Sequence, residues 1–326
     1  MRQLAASLLF ATTFALTLAS SSFDSSKALA QPTTDARDYE GAGAVPNKTL
    51  VVADYLRHQT TSQKKNLTQN IDIFRATYVL RAGSWAFVPF DAFLPVADAD
   101  LKVYTNPTMP MAPPSLRPQG NPIAGSIRTS GIGDLQYLPS VIYDHVERKE
   151  DNTHTYAGAQ VYVTMPTGNY SSHNVVNIGE NRWSFKPQLA LGQRFAKIFT
   201  AEAVVNMLFY TDNSNYHWTN PKTGKSSIES LRQDPTFNAE VHLAADLAPT
   251  MYVSASYYLQ AYGEQFVASN HAELQAKATV HTMRFNWGIR VEKQTLILLQ
   301  MQQDLKTAGE FSNSRFFGAR VSHFFF

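Results

Sequence analysis

Residues Met251–Tyr262 read MYVSASYYLQAY. Taken alternately, they separate into Met251, Val253, Ala255, Tyr257, Leu259 and Ala261 on one side and Tyr252, Ser254, Ser256, Tyr258, Gln260 and Tyr262 on the other. Successive side chains of an extended strand point to opposite faces, so the stretch is a ribbon with one apolar and one polar face. It is also long. Strands in soluble sheets usually run about 5–6 residues, whereas a tilted strand crossing a bilayer needs about 9–11.

The alternation recurs along the chain. Trp183, Phe185, Pro187, Leu189 and Leu191 oppose Arg182, Ser184, Lys186 and Gln188. Phe237, Ala239, Val241, Leu243, Ala245 and Leu247 oppose Asn238, Glu240, His242 and Asp246. Met283, Phe285, Trp287, Ile289 and Val291 oppose Arg284, Asn286, Arg290 and Glu292, and Phe74, Ala76, Tyr78 and Leu80 oppose Arg75, Thr77 and Arg81. Ala157, Ala159, Val161, Val163 and Met165 oppose Tyr156, Gln160 and Tyr162. Twelve strand candidates begin near residues 49, 71, 84, 134, 154, 181, 198, 235, 249, 277, 294 and 313. Short connections around Gly83, Glu150, Lys197, Pro249 and Lys293 alternate with long ones at about 58–70, 96–133, 166–180, 212–234, 263–276 and 304–312.

A soluble sandwich has no reason to sort its loops in this way. An even number of strands joined by short periplasmic turns and longer extracellular loops is the pattern of an outer-membrane barrel. The expected fold is therefore all-β: a transmembrane antiparallel up-and-down barrel of about twelve strands over residues 48–326. No run of 18 apolar residues follows residue 30, so no spanning helix is expected.

Composition agrees. Only 17% of the 326 residues are charged, against about 25% in typical soluble domains, while the chain carries 20 Phe, 15 Tyr and 4 Trp. A net charge of +2 gives no reason to expect a nucleic-acid partner. The absence of cysteine excludes disulfides and thiolate metal sites. Arg2, the apolar stretch Leu4–Ala19 and Ala28-Leu29-Ala30 form a secretory signal pattern, with cleavage expected after Ala30. Residues 31–47 are then a periplasmic N-terminal segment. The expected location is the bacterial outer membrane, with outer-membrane lipid and the barrel-assembly machinery as partners.

Three stretches carry a family resemblance: Ser130-Gly131-Ile132-Gly133-Asp134-Leu135, Pro166-Thr167-Gly168-Asn169-Tyr170 and Asn177–Pro187, which reads NIGENRWSFKP. With the surrounding strand pattern they resemble the outer-membrane proteins named for the meta-cleavage pathway of phenol degradation. The resemblance implies an outer-membrane channel or transporter, sometimes linked to aromatic catabolism, and no catalytic residues. The terminal Phe324-Phe325-Phe326 resembles the usual outer-membrane assembly signal. Its parity places Phe325 toward lipid together with His323, Val321, Ala319 and Phe317, and leaves Phe326 overhanging.

Inside the barrel, Arg75, Arg81, Asp91, Arg182, Lys186, Glu202, Glu240, His242, Asp246, Arg284, Arg290 and Glu292 are the candidate lumen-lining charges. They either form a selectivity lining or pair with one another and plug the lumen. Tyr252 and Tyr258, with Trp85, Phe87, Tyr156 and Tyr162, are the candidate inward aromatics. Tyr55, Tyr143, Tyr170, Trp183, Tyr210, Trp218 and Tyr262 read as interfacial girdle or loop residues. The proline-rich stretch 96–133 is expected to be irregular, serving either as a constriction or as a surface loop.

His242 and Asp246 lie on one strand about 13 Å apart, so a Ser–His–acid site would need partners from other strands. No nucleophile elbow, zinc-protease motif or phosphate loop is present. The expectation is a non-enzymatic channel, without cofactor or metal, passing small organic molecules by passive diffusion, aromatic or hydrophobic ones among them. The alternatives are a barrel enzyme acting on envelope lipid and a closed structural or adhesive barrel.

Overall fold

A computed structural model describes residues 35–61, 66–103, 125–148, 150, 152–174, 177–219, 226–307 and 314–326. The expected signal peptide, residues 1–30, and the prolines from Pro107 to Pro122 lie outside the described residues.

The polypeptide closes on itself as a barrel of twelve antiparallel staves. The first three are β1 (Thr49–Thr61), β2 (Asn66–Ala82) and β3 (Trp85–Val103). The fourth is interrupted into β4 (Gly125–Ile132), β5 (Gln136–Tyr137) and β6 (Ser140–Arg148). There follow β7 (Thr153–Thr164), β8 (Ser184–Phe195) and β9 (Phe199–Tyr210). Between the seventh and eighth staves the chain forms β10 (Asn213–Thr219) and β11 (Ser226–Gln233), then returns to the wall as β12 (Thr236–Ala248) and β13 (Met251–Tyr262). A second excursion gives β14 (Gln265–Val267) and β15 (Glu273–Gln275) before β16 (Ala278–Glu292), β17 (Thr295–Thr307) and β18 (Ser314–Phe325) complete the wall. Strands β10, β11, β14 and β15 pair with each other as a small sheet at the long-loop end.

Closure is made by β1 against β18, from Leu50 opposite Phe325 to Thr61 opposite Ser314. A closed barrel leaves no edge, so every wall strand has both ladders filled, as lipid requires. Phe325 faces outward with Phe317 and Val321, and Phe326 lies beyond the strand. The tight turns at the other end use left-handed backbone at Gly83 and at the pair Ala196-Lys197.

Parity decides which side of the wall each residue faces. Along β8 buried and exposed positions alternate without a break from Ser184 to Phe195. Leu189, Leu191, Val241, Leu243, Phe285 and Trp287 stand exposed on the outer surface, while Lys186, Gln188, Glu240, His242, Arg284 and Asn286 are buried inside. This inverts a soluble protein: the apolar residues are outside, because the outside is lipid.

Strand β3 breaks the rule in its middle. In β3, Val88-Pro89 oppose the single residue Val79 of β2, a bulge that inverts the phase along the strand. Proline fits there because the extra residue of a bulge needs no ladder hydrogen bond. Asp91 therefore points inward as expected, whereas Trp85 and Phe87, read from the sequence as inward, face out. Trp85 packs against Tyr143 of β6 with ring centroids 4.9 Å apart, forming part of an aromatic girdle at the short-turn end. The stretch expected to be loop from 96 to 133 is also shorter than its sequence suggests. Strand β3 runs on to Val103 between β2 and β4, extending this part of the wall beyond the length of most other strands.

Candidate functional site

The lumen is not empty. Ahead of β1, residues Asp35–Ala44 enter the barrel and fold into a short helix, α1 (Asp38–Ala44). The sequence places these residues in a periplasmic segment; the structure packs them against the inner wall. Nothing in their pattern has period two, so strand parity could not find them.

The segment is anchored at two points. At the first, Arg284 and Gln300 both donate to Asp35 Oδ1, at 2.5 and 2.6 Å. Arg320 donates to Asp35 Oδ2 at 3.1 Å and to Asp38 Oδ1 at 3.0 Å. At the second, Glu40 meets Arg194 at 3.2 Å, His154 at 3.7 Å and the Thr200 hydroxyl at 3.2 Å. Arg37 has left-handed backbone with φ of 71°, which turns its side chain back onto Glu40 at 2.6 Å and across to Asp246 at 2.5 Å. Arg194 also binds Asp246, so the two arginines share one carboxylate.

Between these anchors Tyr39 lies flat on β7. A Cβ at Gly158 would come within 2.4 Å of its ring, so only glycine leaves the slot the ring fills. Its hydroxyl donates to Gln160 and accepts from Gln188. Desolvating this many charges is costly, and the cost is offset only because nearly every one has a partner.

Asp35 is buried, and burial alone would push its carboxyl up. The charges of Arg284, Arg320 and Arg57 outweigh that and hold it at about 2, below the ordinary 3.8. A carboxyl depressed on folding adds stability that is complete above its unfolded pKa and is lost as pH falls through the folded one. An Asp35→Asn protein should therefore be less stable than the parent by about 2 kcal/mol from pH 7 to 4, with the gap closing toward pH 2. Thermal unfolding at stepped pH measures this, and a gap that closes near pH 5 contradicts it.

Beyond the plug the two sides of the lumen differ. On β1, β2, β3 and β7, Tyr55, Ile71, Ile73, Phe93 and Tyr162 form an apolar cluster with Leu138, and the incoming loop adds Ile178. Asp91 is held there by Arg75 at 2.7 Å and by the Thr77 hydroxyl. The remaining staves carry amides and hydroxyls bonded in series beside their inward charges. Asn238 donates to Asn206, Asn206 to Gln188, Gln300 to Asn286 and Asn286 to Ser254. A cavity of about 40 Å³ remains between plug and wall, bounded by Asp35, Tyr55, Arg75, Asp91 and Tyr162, among others.

Of the charges expected to line the lumen, Asp91, Arg182, Lys186, Glu202, Glu240, His242 and Arg284 are buried inside, and Arg75 and Asp246 are largely so. Lys186 caps the Tyr162 ring at 3.7 Å, and Tyr252 and Tyr258 stack under Arg37 and Arg284. Arg290 and Glu292 do not belong to the lining: a bulge at the end of β16 leaves both exposed at the short-turn rim, where half-exposed Arg81 also lies. Among the expected girdle residues, Trp183 and Tyr143 face outward, but Tyr55 is buried in the lumen, where its hydroxyl accepts from Arg75. Arg194 and Arg320, which carry much of the plug's anchorage, and Arg57 beside them have the inward parity of their strands.

His242 does gain partners from other strands. Ser256 of β13 lies 2.8 Å from its Nδ1, Glu240 is 3.4 Å from Nε2 and Glu202 of β9 is 3.9 Å away. Ser256 and His242 are each only 1% exposed, so no acyl substrate reaches this group in the described state. It packs the wall.

At the long-loop end the three motif stretches meet. Asp134 accepts the amide of Gly168 at 2.8 Å and that of Glu180 at 2.7 Å. Asn169 accepts the Ile132 amide. Gly168 lies so close to Gly133 and Gly179 that a Cβ would fall within 2.9 Å of both backbones. The resulting knot turns the 165–183 loop into the mouth, where Arg182 binds Glu180 and Gln233 and stacks on Tyr210 at 4.3 Å.

A closed twelve-stave wall with an apolar exterior, a polar interior and an internal plug defines an outer-membrane β-barrel. The chain belongs to the family described as the MetA-pathway of phenol degradation, whose model matches residues 35–323. Among solved structures it is similar to an outer membrane channel from Pseudomonas putida F1, at 21% identity and a TM-score of 0.72, covering 90% of this chain and 100% of that one. It aligns more loosely with the Pseudomonas putida toluene transporter TodX, at 10% identity and a TM-score of 0.45, over 93% of this chain and 95% of that one. No curated protein sequence matches it.

Proposed function

We propose that the barrel is a gated outer-membrane channel for small organic molecules, aromatic or hydrophobic ones included, which pass by diffusion once the N-terminal segment shifts. The observation that carries this reading is the two-sided lumen. Tyr55, Phe93 and Tyr162 suit a ring, and the facing amides of Gln188, Asn206 and Asn286 suit a hydroxyl or carbonyl handle. A twelve-strand barrel is too wide to be filled by its own side chains, and here an inserted peptide occupies the space. Apart from its chain link to β1, the plug is held to the wall by hydrogen bonds, ion pairs and packing, so it can move without unfolding the staves. The family and the outer-membrane channel of similar fold support this class of function.

Liposome swelling tests the reading. Vesicles containing the protein should admit phenol-sized neutral solutes faster than protein-free vesicles, with rates falling as solute size grows. Permeability equal to that of empty vesicles for every solute, with or without residues 35–44, contradicts it.

A further inference from the structure

Three arginines converge where the plug begins. Arg284 and Arg320 hold Asp35 directly, and Arg57 adds its charge to the same carboxylate. Arg284 and Arg320 are both nearly inaccessible. Cationic side chains gathered this closely in a desolvated space repel one another strongly. Asp35 is the plug carboxylate that Arg284 and Arg320 share, and Asp38 is a second one on Arg320. The Nε atoms of Arg57 and Arg320 are buried without hydrogen-bond partners, so the cradle has donors beyond those the plug uses.

Its walls are aromatic. The Arg57 guanidinium lies 5.8 Å from the Tyr55 ring and 5.4 Å from Phe316. Arg284 lies 4.7 Å from Tyr258 and 5.1 Å from Phe316, and Arg320 lies 5.4 Å from Tyr55. Guanidinium groups stacked on rings are positioned for a planar carboxylate, which they bind through paired N–H donors. Gln300 supplies a further donor at 2.6 Å.

We infer that this cradle is a carboxylate-binding site of the lumen, occupied in the resting state by Asp35 as a tethered surrogate, and that its free ligands are small aromatic acids. The inference rests on the channel reading above and names the chemistry of one class of its permeants. Asp35 sits on the same chain, so it competes at a high effective concentration, and a free acid binds well only when that carboxylate is removed or displaced. The aromatic walls select an aryl acid over an alkyl one, and the arginines select the acid over its neutral alcohol.

Isothermal titration of the purified full-length protein with benzoate and with benzyl alcohol tests the site without requiring conduction. Asp35→Ala should bind benzoate about tenfold or more tighter than the parent does, because the tethered competitor is gone. Benzyl alcohol should bind neither protein measurably. Adding Arg320→Gln or Arg284→Gln to Asp35→Ala should abolish benzoate binding, with heat-modifiable gel migration used to accept only variants that retain the barrel. Equal affinity for acid and alcohol, unchanged benzoate affinity on removing Asp35, or binding that survives both arginine substitutions overturns the inference. Benzoate binding in a protein that admits no solute would sink the channel reading and leave the site standing.

Discussion

Arginine at Val241 should destabilise the folded barrel by about 2–4 kcal/mol, and arginine at Leu247 by only about 0–1 kcal/mol. Val241 stands midway along β12 on the outer face and is 50% exposed, between Ala239 and Leu243 on its own strand and beside Tyr257 of β13. Leu247 is also exposed, at 61%, but lies one residue from the end of the strand at the short-turn rim. On a water-exposed sheet both substitutions would be nearly neutral. Only a low-dielectric slab centred on the middle of the strand makes the cost depend on depth, since an arginine near the rim can snorkel to the interface. Denaturant unfolding in phospholipid vesicles measures both variants. Equal small effects at the two positions contradict a lipid-facing wall.

Replacing Asp134 by alanine should untie the mouth. Its carboxylate accepts two backbone amides from the 165–183 loop, and hydrogen bonds to a charged acceptor contribute about 1.5–3 kcal/mol each. The wall should survive, because the staves do not depend on this contact, so the loss appears locally as a loop released from Gly133 and Asp134. Protease added to intact cells should then cut between residues 165 and 183 at least tenfold faster than in the parent, which corresponds to about 1.4 kcal/mol or more of lost local protection. Unchanged cleavage would show that glycine packing alone holds the knot.

These two tests separate what strand parity reveals from what it conceals. Alternation placed Lys186, Glu240, His242 and Arg284 inside and Leu189, Val241 and Phe285 outside, because each lies in a strand of unbroken register. It misplaced Trp85 and Phe87 because the inserted residue at Val88-Pro89 changes which face follows, and a bulge leaves only a proline as its trace. The loop prolines suggested that irregular chain began at residue 96, yet the run Val96–Val103 keeps its alternation and pairs as strand.

The plug carries no periodic signature in the sequence. Asp35, Arg37, Asp38 and Glu40 cluster without periodicity, and a cluster of charges before the first strand usually signals solvent. Its partners were nonetheless legible: Arg57, Arg194 and Arg320 all fall on the inward parity of β1, β8 and β18. The segment ahead of β1 supplies the carboxylates that Arg194 and Arg320 bind. The motif glycines were visible too, but their reason is tertiary. Gly133, Gly168 and Gly179 meet only because the 165–183 loop folds back on itself against the break between β4 and β5.

The central claim is that the wall encloses a conduction path and the N-terminal segment closes it. Planar-bilayer recording of the parent and of a protein lacking residues 35–44 tests it most directly, with both first shown to migrate as folded barrels. The parent should conduct weakly or in brief openings, and the shortened protein should stay open with a several-fold larger unitary conductance and greater preference for anions, as the arginines of the cradle are uncovered. A folded, shortened barrel with conductance no greater than the parent's would contradict the account.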